Sequence, residues 1–266
     1  MKKVYRDIDI VSYWEKRWRE AGEDKDYFDN LEIYPIKYAM QTIKDKKGVI
    51  LECGCGLGRV LKHYHLNGYK IIGLEYDKGA VDKIKKQYPD INVIQGDVRK
   101  LPFKNETFDY IVSFGLYHNI ENDVQGTINE TIRCLKKGGR FCATVRADNF
   151  ENTIGDLIVA LKTRNKKKDK FYKWSFEPKE FKKMIEDSGV KVESVQVVTN
   201  MPFLFKIKIF RKKELQKIDK STSLIEPTAR SEGFKLNKVG NFIYKSLTTL
   251  FPNSFGNVVV VIGEKN

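Results

Sequence analysis

The stretch Gly48-Val49-Ile50-Leu51-Glu52-Cys53-Gly54-Cys55-Gly56-Leu57-Gly58 constrains the chain most: an apolar run that ends in an acid, followed by three glycines at alternate positions. A short apolar run bounded by glycines reads as a buried parallel strand, and the periodic Val60, Leu61 and Tyr64 behind it as a helix. Glycine is needed at such a turn because φ > 0 is free only without a Cβ, and because a side chain would hold a ligand off the backbone. A strand, a tight turn and a helix arranged in this way face a nucleotide or nucleoside.

Spacing narrows the ligand. The dinucleotide fingerprint is G-x-G-x-x-G, but here Gly58 comes one residue early and Arg59 holds the fingerprint position. No Gly-Lys-Ser/Thr follows, which excludes a Walker loop. A second apolar run, Tyr69 to Asp77, ends in acids. Strand, helix and strand form a right-handed unit, so the end of this second strand lies beside the glycine turn, where Glu75 can accept ribose hydroxyls. A third run, Asn92 to Val98, ends in Gly96-Asp97, and a fourth follows Leu101-Pro102-Phe103 and a polar turn, running from Phe108-Asp109 to Phe114.

The pattern Glu52-x-Gly-x-Gly-x-Gly resembles motif I of the class I S-adenosylmethionine (SAM) dependent methyltransferases. The Leu-Pro-Phe, polar turn, Phe-Asp, apolar strand text resembles the group that includes ubiquinone and menaquinone biosynthetic enzymes, and the likeness spans roughly residues 48 to 146. It implies a Rossmann-like α/β fold: a seven-stranded, mostly parallel sheet with helices on both faces, an antiparallel last strand and an inserted lid subdomain. It also implies that Glu52, Gly54, Gly56 and Gly58 form the cofactor turn and that Glu75 holds the ribose. Tyr76 then contacts adenine, Asp97 receives its amino group, Val98 packs beside the ring and Phe114 touches the cofactor. For Asp97, ordinary turn chemistry is the competing reading. Relatives begin with an aromatic segment that folds over the cofactor, which makes Tyr13 and Trp14 lid candidates, with packing against the sheet as the alternative. His118 is the candidate general base, because imidazole titrates near neutrality, and Tyr117 is a second candidate. A histidine here that only shapes the pocket is the alternative.

The chain reads as one domain: N-terminal helices in 1–47, a SAM-binding core in 48–148, and substrate or lid insertions at 149–176 and 199–254. The helix from Asp123 to Leu135 is expected to end at Lys136-Lys137-Gly138-Gly139-Arg140, ahead of a fifth strand at Phe141 to Val145. A helix at Glu177 to Ser188, a strand at Val190 to Val198 and a closing strand at Phe255 to Gly263 complete the core.

The net charge of +14 is uneven, with 26 Lys+Arg against 22 Asp+Glu in residues 1–150 and 23 against 13 in 151–266. A basic half suits an anionic substrate, a nucleic acid or an anionic membrane surface, or it simply solvates the chain. Lys162 to Lys170 beside Phe171, Tyr172, Trp174 and Phe176 fits either a lid or stacked nucleic acid, and the interleaved Phe203 to Lys213 fits peripheral membrane contact. Cys53, Cys55, Cys134 and Cys142 follow neither zinc nor disulfide spacing and read as reduced packing residues. No run of apolar residues is long enough to span a membrane and the N-terminus lacks a signal-peptide core, so a cytoplasmic protein is expected. The expected activity is methyl transfer from SAM to a small-molecule or lipid-like acceptor. A tRNA/RNA methyltransferase is the alternative, because the fourth-strand text also resembles tRNA wobble-uridine modifying enzymes. A non-catalytic SAM-binding regulator is the third reading.

Overall fold

A computed structural model describes residues 1–21, 31–32, 34–162, 164, 167–216 and 234–266. Parts of three readings made above lie outside the described residues: 22–30 and 33 in the N-terminal segment, 163 and 165–166 in the basic run, and 217–233 in the second insertion. Along the chain run β1 (Lys2–Arg6), α1 (Ile10–Glu20), α2 (Ile36–Thr42), β2 (Val49–Cys53), α3 (Arg59–Leu66), β3 (Lys70–Glu75), α4 (Lys78–Gln87) and β4 (Val93–Gln95). Then follow β5 (Phe108–Phe114), α5 (Val124–Cys134), β6 (Leu135–Arg146), α6 (Phe150–Lys162), β7 (Lys170–Ser175), α7 (Pro178–Asp187), β8 (Val190–Val198), the helix Lys238–Leu250 and β9 (Val258–Lys265).

Seven strands form one sheet in the order β4-β3-β2-β5-β6-β9-β8, parallel except that β9 runs against both β6 and β8. The central strands are apolar on both faces, and Ile50, Leu51 and Ile111 are fully buried. Each such side chain contributes about 1.5–3 kcal/mol relative to exposure. One face is covered by α2, α3 and α4 through Ile36, Val60, Leu61, Tyr64, Val81 and Ile84. The other is covered by α5 and α7 through Val124, Ile128, Ile132, Phe181 and Ile185. Local chemistry sets the helix ends: Asp77 caps α4 by accepting from the Ala80 N–H at 2.7 Å, Lys85 and Lys86 sit in its last turn, and Pro178 opens α7.

The chain leaves β2 outward through β3 and β4, then returns to β5 on the other side of β2. The strand order therefore reverses between β2 and β5, and the ligand crevice of an open α/β sheet lies outside the carboxyl ends at that point.

Two local readings are corrected. Residues ahead of β2 are not all helical, because Lys2–Arg6 is a strand that pairs antiparallel with β7, the segment carrying Phe171, Tyr172 and Trp174. Neither strand has a partner nearby in sequence, so the pairing leaves no local periodic trace. The Lys136 to Arg140 text does not cap α5 either. That helix stops at Cys134, and Leu135 already pairs with Phe108 in β6. The insertion before β9 packs a small core of its own from Leu204, Phe205, Leu215, Phe234, Leu236 and Tyr244, while Ile209, Val239, Phe242 and Leu250 stay exposed. No helix among the described residues is long and apolar enough to cross a membrane.

Candidate functional site

The glycine turn is tied to the neighbouring strand by its own backbone: Gly54 and Cys55 both donate to the Leu74 carbonyl, at 2.8 and 3.1 Å. Gly56 has φ of 57° and its N–H donates to Glu75 Oε2 at 2.8 Å. Glu75, at the end of β3, also accepts from the Asp77 N–H through Oε1 at 3.1 Å. Oε2 thus braces the glycine turn and Oε1 the segment that follows β3. Burial raises the Glu75 pKa, opposed by those backbone donors.

Gly58 requires a correction. It is the residue before α3, with φ of 77°, and a Cβ there would meet Ile84 Cδ1 at 3.2 Å. It does not line the crevice, so its role is to let the turn enter α3 beside α4, not to touch a ligand.

Glu52 is buried and lines the crevice, and its Oε2 accepts from the Leu61 N–H at 2.8 Å. Desolvation pushes its carboxyl from 4.5 up to about 8, against that hydrogen bond and with the help of nearby Glu75. Because the folded pKa lies above the unfolded one, the stabilisation of the protonated form is full below 4.5 and is lost as pH rises toward about 8. Glu52→Gln is therefore expected to raise the melting temperature of the ligand-free protein, more near pH 8 than near pH 5. Thermal denaturation at both values checks it, and equal shifts would show that Glu52 ionises freely in the fold.

Tyr76, 56% exposed, and the buried Val98 form the crevice wall beyond Glu75. Asp97 lies there too, with both oxygens held by Arg99, whose Nη2 donates at 2.6 Å, and that pairing keeps its pKa low. Phe114 lines the crevice at the end of β5, edge-on to Tyr34, whose hydroxyl hydrogen-bonds Thr144 Oγ1.

The turn after β5 separates the two proton-transfer candidates. His118 faces the crevice, is 7% exposed, and its Nδ1 has no hydrogen-bond partner. Burial first, then the cations Arg146 and Lys173, hold its pKa well below 6.5. Tyr117 is corrected: it is fully buried in the core on the α5/α7 side, packs near Phe181 at 6.4 Å between centroids, and does not line the crevice. Successive side chains of this 3-10 turn diverge by about 120°, and only one of the pair reaches the ligand space.

From above, α1 closes the crevice. Tyr13 packs edge-on against Trp14 and Tyr172, and Trp14 stacks on Trp18 at 5.0 Å. Trp18 in turn lies against the glycine turn, where its Cζ2 is 2.8 Å from the position a Gly56 Cβ would take. The C-terminus of α1 is held by Lys83 of α4, which donates to the carbonyls of Trp18, Arg19 and Ala21 at 2.7, 2.9 and 3.0 Å. The sequence places Trp18 on the same helix face, four residues after Trp14, but only Tyr13 and Trp14 are named as lid candidates. The site candidates also leave out Tyr34, Arg6, Arg146, Lys173 and Lys206, which reach the same space from separate elements.

The resulting cavity measures about 1250 Å³ and is lined by Gly54, Gly56, Glu75, Asp97, Phe114 and His118 among others, so the strand ends are not filled by side chains. The glycine turn, the Glu75 carboxylate and an apolar wall at Val98, all lining one cavity, fit an adenosyl group.

Comparison with known proteins agrees with this geometry. Residues 51–143 match the family model described as a methyltransferase domain. An uncharacterized methyltransferase of Anoxybacillus flavithermus is 27% identical over 157 residues, covering 56% of this chain and 73% of that protein. One from Alkaliphilus oremlandii is 30% identical over 142 residues, covering 52% and 57%. The demethylmenaquinone methyltransferase of Renibacterium salmoninarum is 33% identical over 92 residues, covering 34% and 38%. In the last two the chain spans about half or less of the relative's own length. Among solved structures, a SAM-dependent methyltransferase from Archaeoglobus fulgidus superposes with TM-score 0.57 at 15% identity, over 97% of this chain and 100% of that one. A Haemonchus contortus phosphoethanolamine N-methyltransferase, solved with S-adenosylhomocysteine, gives 0.57 at 16% identity over 86% and 52%. Residues 51–143 thus carry a methyltransferase domain, and motif, crevice and relatives support class I SAM-dependent methyltransferase chemistry with SAM as the cofactor.

Proposed function

We propose that this protein transfers a methyl group from SAM to a small-molecule or lipid-like acceptor. The observation that carries the proposal is the continuity of the cavity, which runs from Gly56, Glu75 and Asp97 to His118, Arg146 and Tyr172 as one space. Cofactor and acceptor would then share one chamber. SAM supplies a methyl already made electrophilic by its sulfonium, so the chain's residues need only hold the acceptor in line at about 3–3.5 Å and exclude water. Glu75 and the glycine turn orient the nucleoside end, and Tyr13, Trp14, Trp18 and Tyr172 form the cover that keeps water out. His118, held neutral by burial, lines the chamber where the acceptor would lie. Its lowered pKa makes it a weak base, so it aligns the acceptor more than it removes a proton.

The basic excess of residues 151–266 favours RNA as a second reading. Incubation with radiolabelled SAM and a cell extract separated into protein, RNA, lipid and small molecules tests both. Label in the small-molecule or lipid fraction is the expected outcome. Label in RNA would transfer the assignment to the second reading, and tight SAM binding with no labelled fraction would make the protein a SAM-binding regulator.

A further inference from the structure

The strand-end half of the cavity carries Glu52, Glu75, Asp77 and Asp97 beside Arg59, Lys62 and Arg99, whereas the half beneath β1, β7 and α6 carries Arg6, Arg146, Lys173 and Lys206 with Asp156 and Glu151. Of the two carboxylates of that half, Asp156 is taken up by cations, and Glu151 is bound through Oε2 by neutral donors with Oε1 unpartnered. Asp156 takes Arg6 at 3.3 Å and Lys173 at 3.0 Å. Glu151 Oε2 accepts from the Tyr244 hydroxyl at 3.1 Å and the Gly256 N–H at 2.7 Å. Asp156 is shared by Arg6 and Lys173, so Arg146 and Lys206 are the cations of this region with no ion pair among the described residues.

We propose that this end of the cavity binds an anionic group, a phosphate or carboxylate carried by the acceptor, with Arg146 as its principal contact. The inference rests on reading the chamber as a cofactor site joined to an acceptor site. Arg146 is the last residue of β6, two positions beyond Thr144 on the same strand face, and is half-buried. Its guanidinium makes no hydrogen bond or ion pair among the described residues. It nonetheless acts electrostatically on Tyr34, His118, Tyr172, Lys173 and Lys206, which come from four separate segments. A half-buried guanidinium that lines the cavity and has no ion pair of its own is available to a ligand anion. Its planar fork matches the two oxygens of a phosphate or carboxylate. Lys173 supports the same conclusion: burial first, then Arg146 and Arg6, pull it down to about 8 although Asp156 is in contact. Arg6 is held in place by stacking on Tyr172 at 3.6 Å. Enclosure favours a compact anion over a polymer, because Lys173 is only 7% exposed and nucleic-acid backbones are met by cations on open surface.

The test is calorimetric titration of the full chain saturated with S-adenosylhomocysteine, at fixed ionic strength, with inorganic phosphate, acetate and tRNA as separate probes. Saturable binding of phosphate or acetate is expected, and the preferred probe names the anion class. Arg146→Gln should weaken it at least about tenfold with S-adenosylhomocysteine affinity unchanged. Lys206→Gln, on an exposed turn, should weaken it in the same direction. Normal S-adenosylhomocysteine binding with no saturable small-anion binding would overturn the anion site and leave the proposed function standing. So would an Arg146→Gln protein that loses cofactor affinity but keeps phosphate binding, or tRNA binding that depends on Arg146 where small anions do not bind. Wild-type protein that fails to bind S-adenosylhomocysteine would instead remove the methyltransferase reading itself.

Discussion

Gly56→Val is expected to abolish SAM binding while leaving a folded protein. The position has φ of 57°, where a Cβ costs about 1–2 kcal/mol. A valine would also drive its Cβ to 2.8 Å from Trp18 Cζ2, so either the indole or the turn must move. Moving the turn breaks the 2.8 Å hydrogen bond from the Gly56 N–H to Glu75, and the two parts of the nucleoside site then separate. The sheet need not follow, because the register of β2 with β3 and β5 ends before Gly56. Calorimetric titration with SAM, beside circular dichroism for the fold, checks the outcome. Retained affinity would contradict the placement of the cofactor on this turn.

Glu75→Ala should weaken SAM and S-adenosylhomocysteine alike, by about 1.5–3 kcal/mol, the scale of hydrogen bonds to a charged group. That corresponds to roughly ten- to a hundredfold in the dissociation constant. Equal loss for both ligands is the informative part, since the ribose is common to them and the methyl is not. The structure adds a second route to the same loss: the Glu75 carboxylate also receives the N–H groups of Gly56 and Asp77, so its removal loosens the turn. Glu75→Gln, which keeps one acceptor oxygen, should fall between wild type and alanine. A dissociation constant unchanged in the alanine protein would show that the ribose lies elsewhere.

The nucleoside half of the site was legible in the chain because its parts are local. Gly54, Gly56, Glu75, Asp97 and Phe114 each end or follow an apolar strand, and parallel strands bring their carboxyl ends to one edge. Gly58 and Tyr117 show the limit of that reasoning. Both sit in the right motif, yet a tight turn aims neighbouring residues in different directions, and motif spacing carries no orientation.

Residues 48–146 were therefore determined by the sequence itself: alternating strand and helix patterns, glycines that tolerate positive φ, and acids at strand ends dictate a doubly wound sheet and its nucleoside crevice. Only the tertiary structure decided the roof and the far end of the cavity. The pairing of β1 with β7 joins Lys2 to Ser175. Trp18 meets Gly56 across the chain, and Arg6, Arg146, Lys173 and Lys206 gather from four separate elements. Such contacts arise from packing between distant segments, for which neither helical nor strand periodicity leaves a local mark, so the acceptor side is written in the fold and not in any motif.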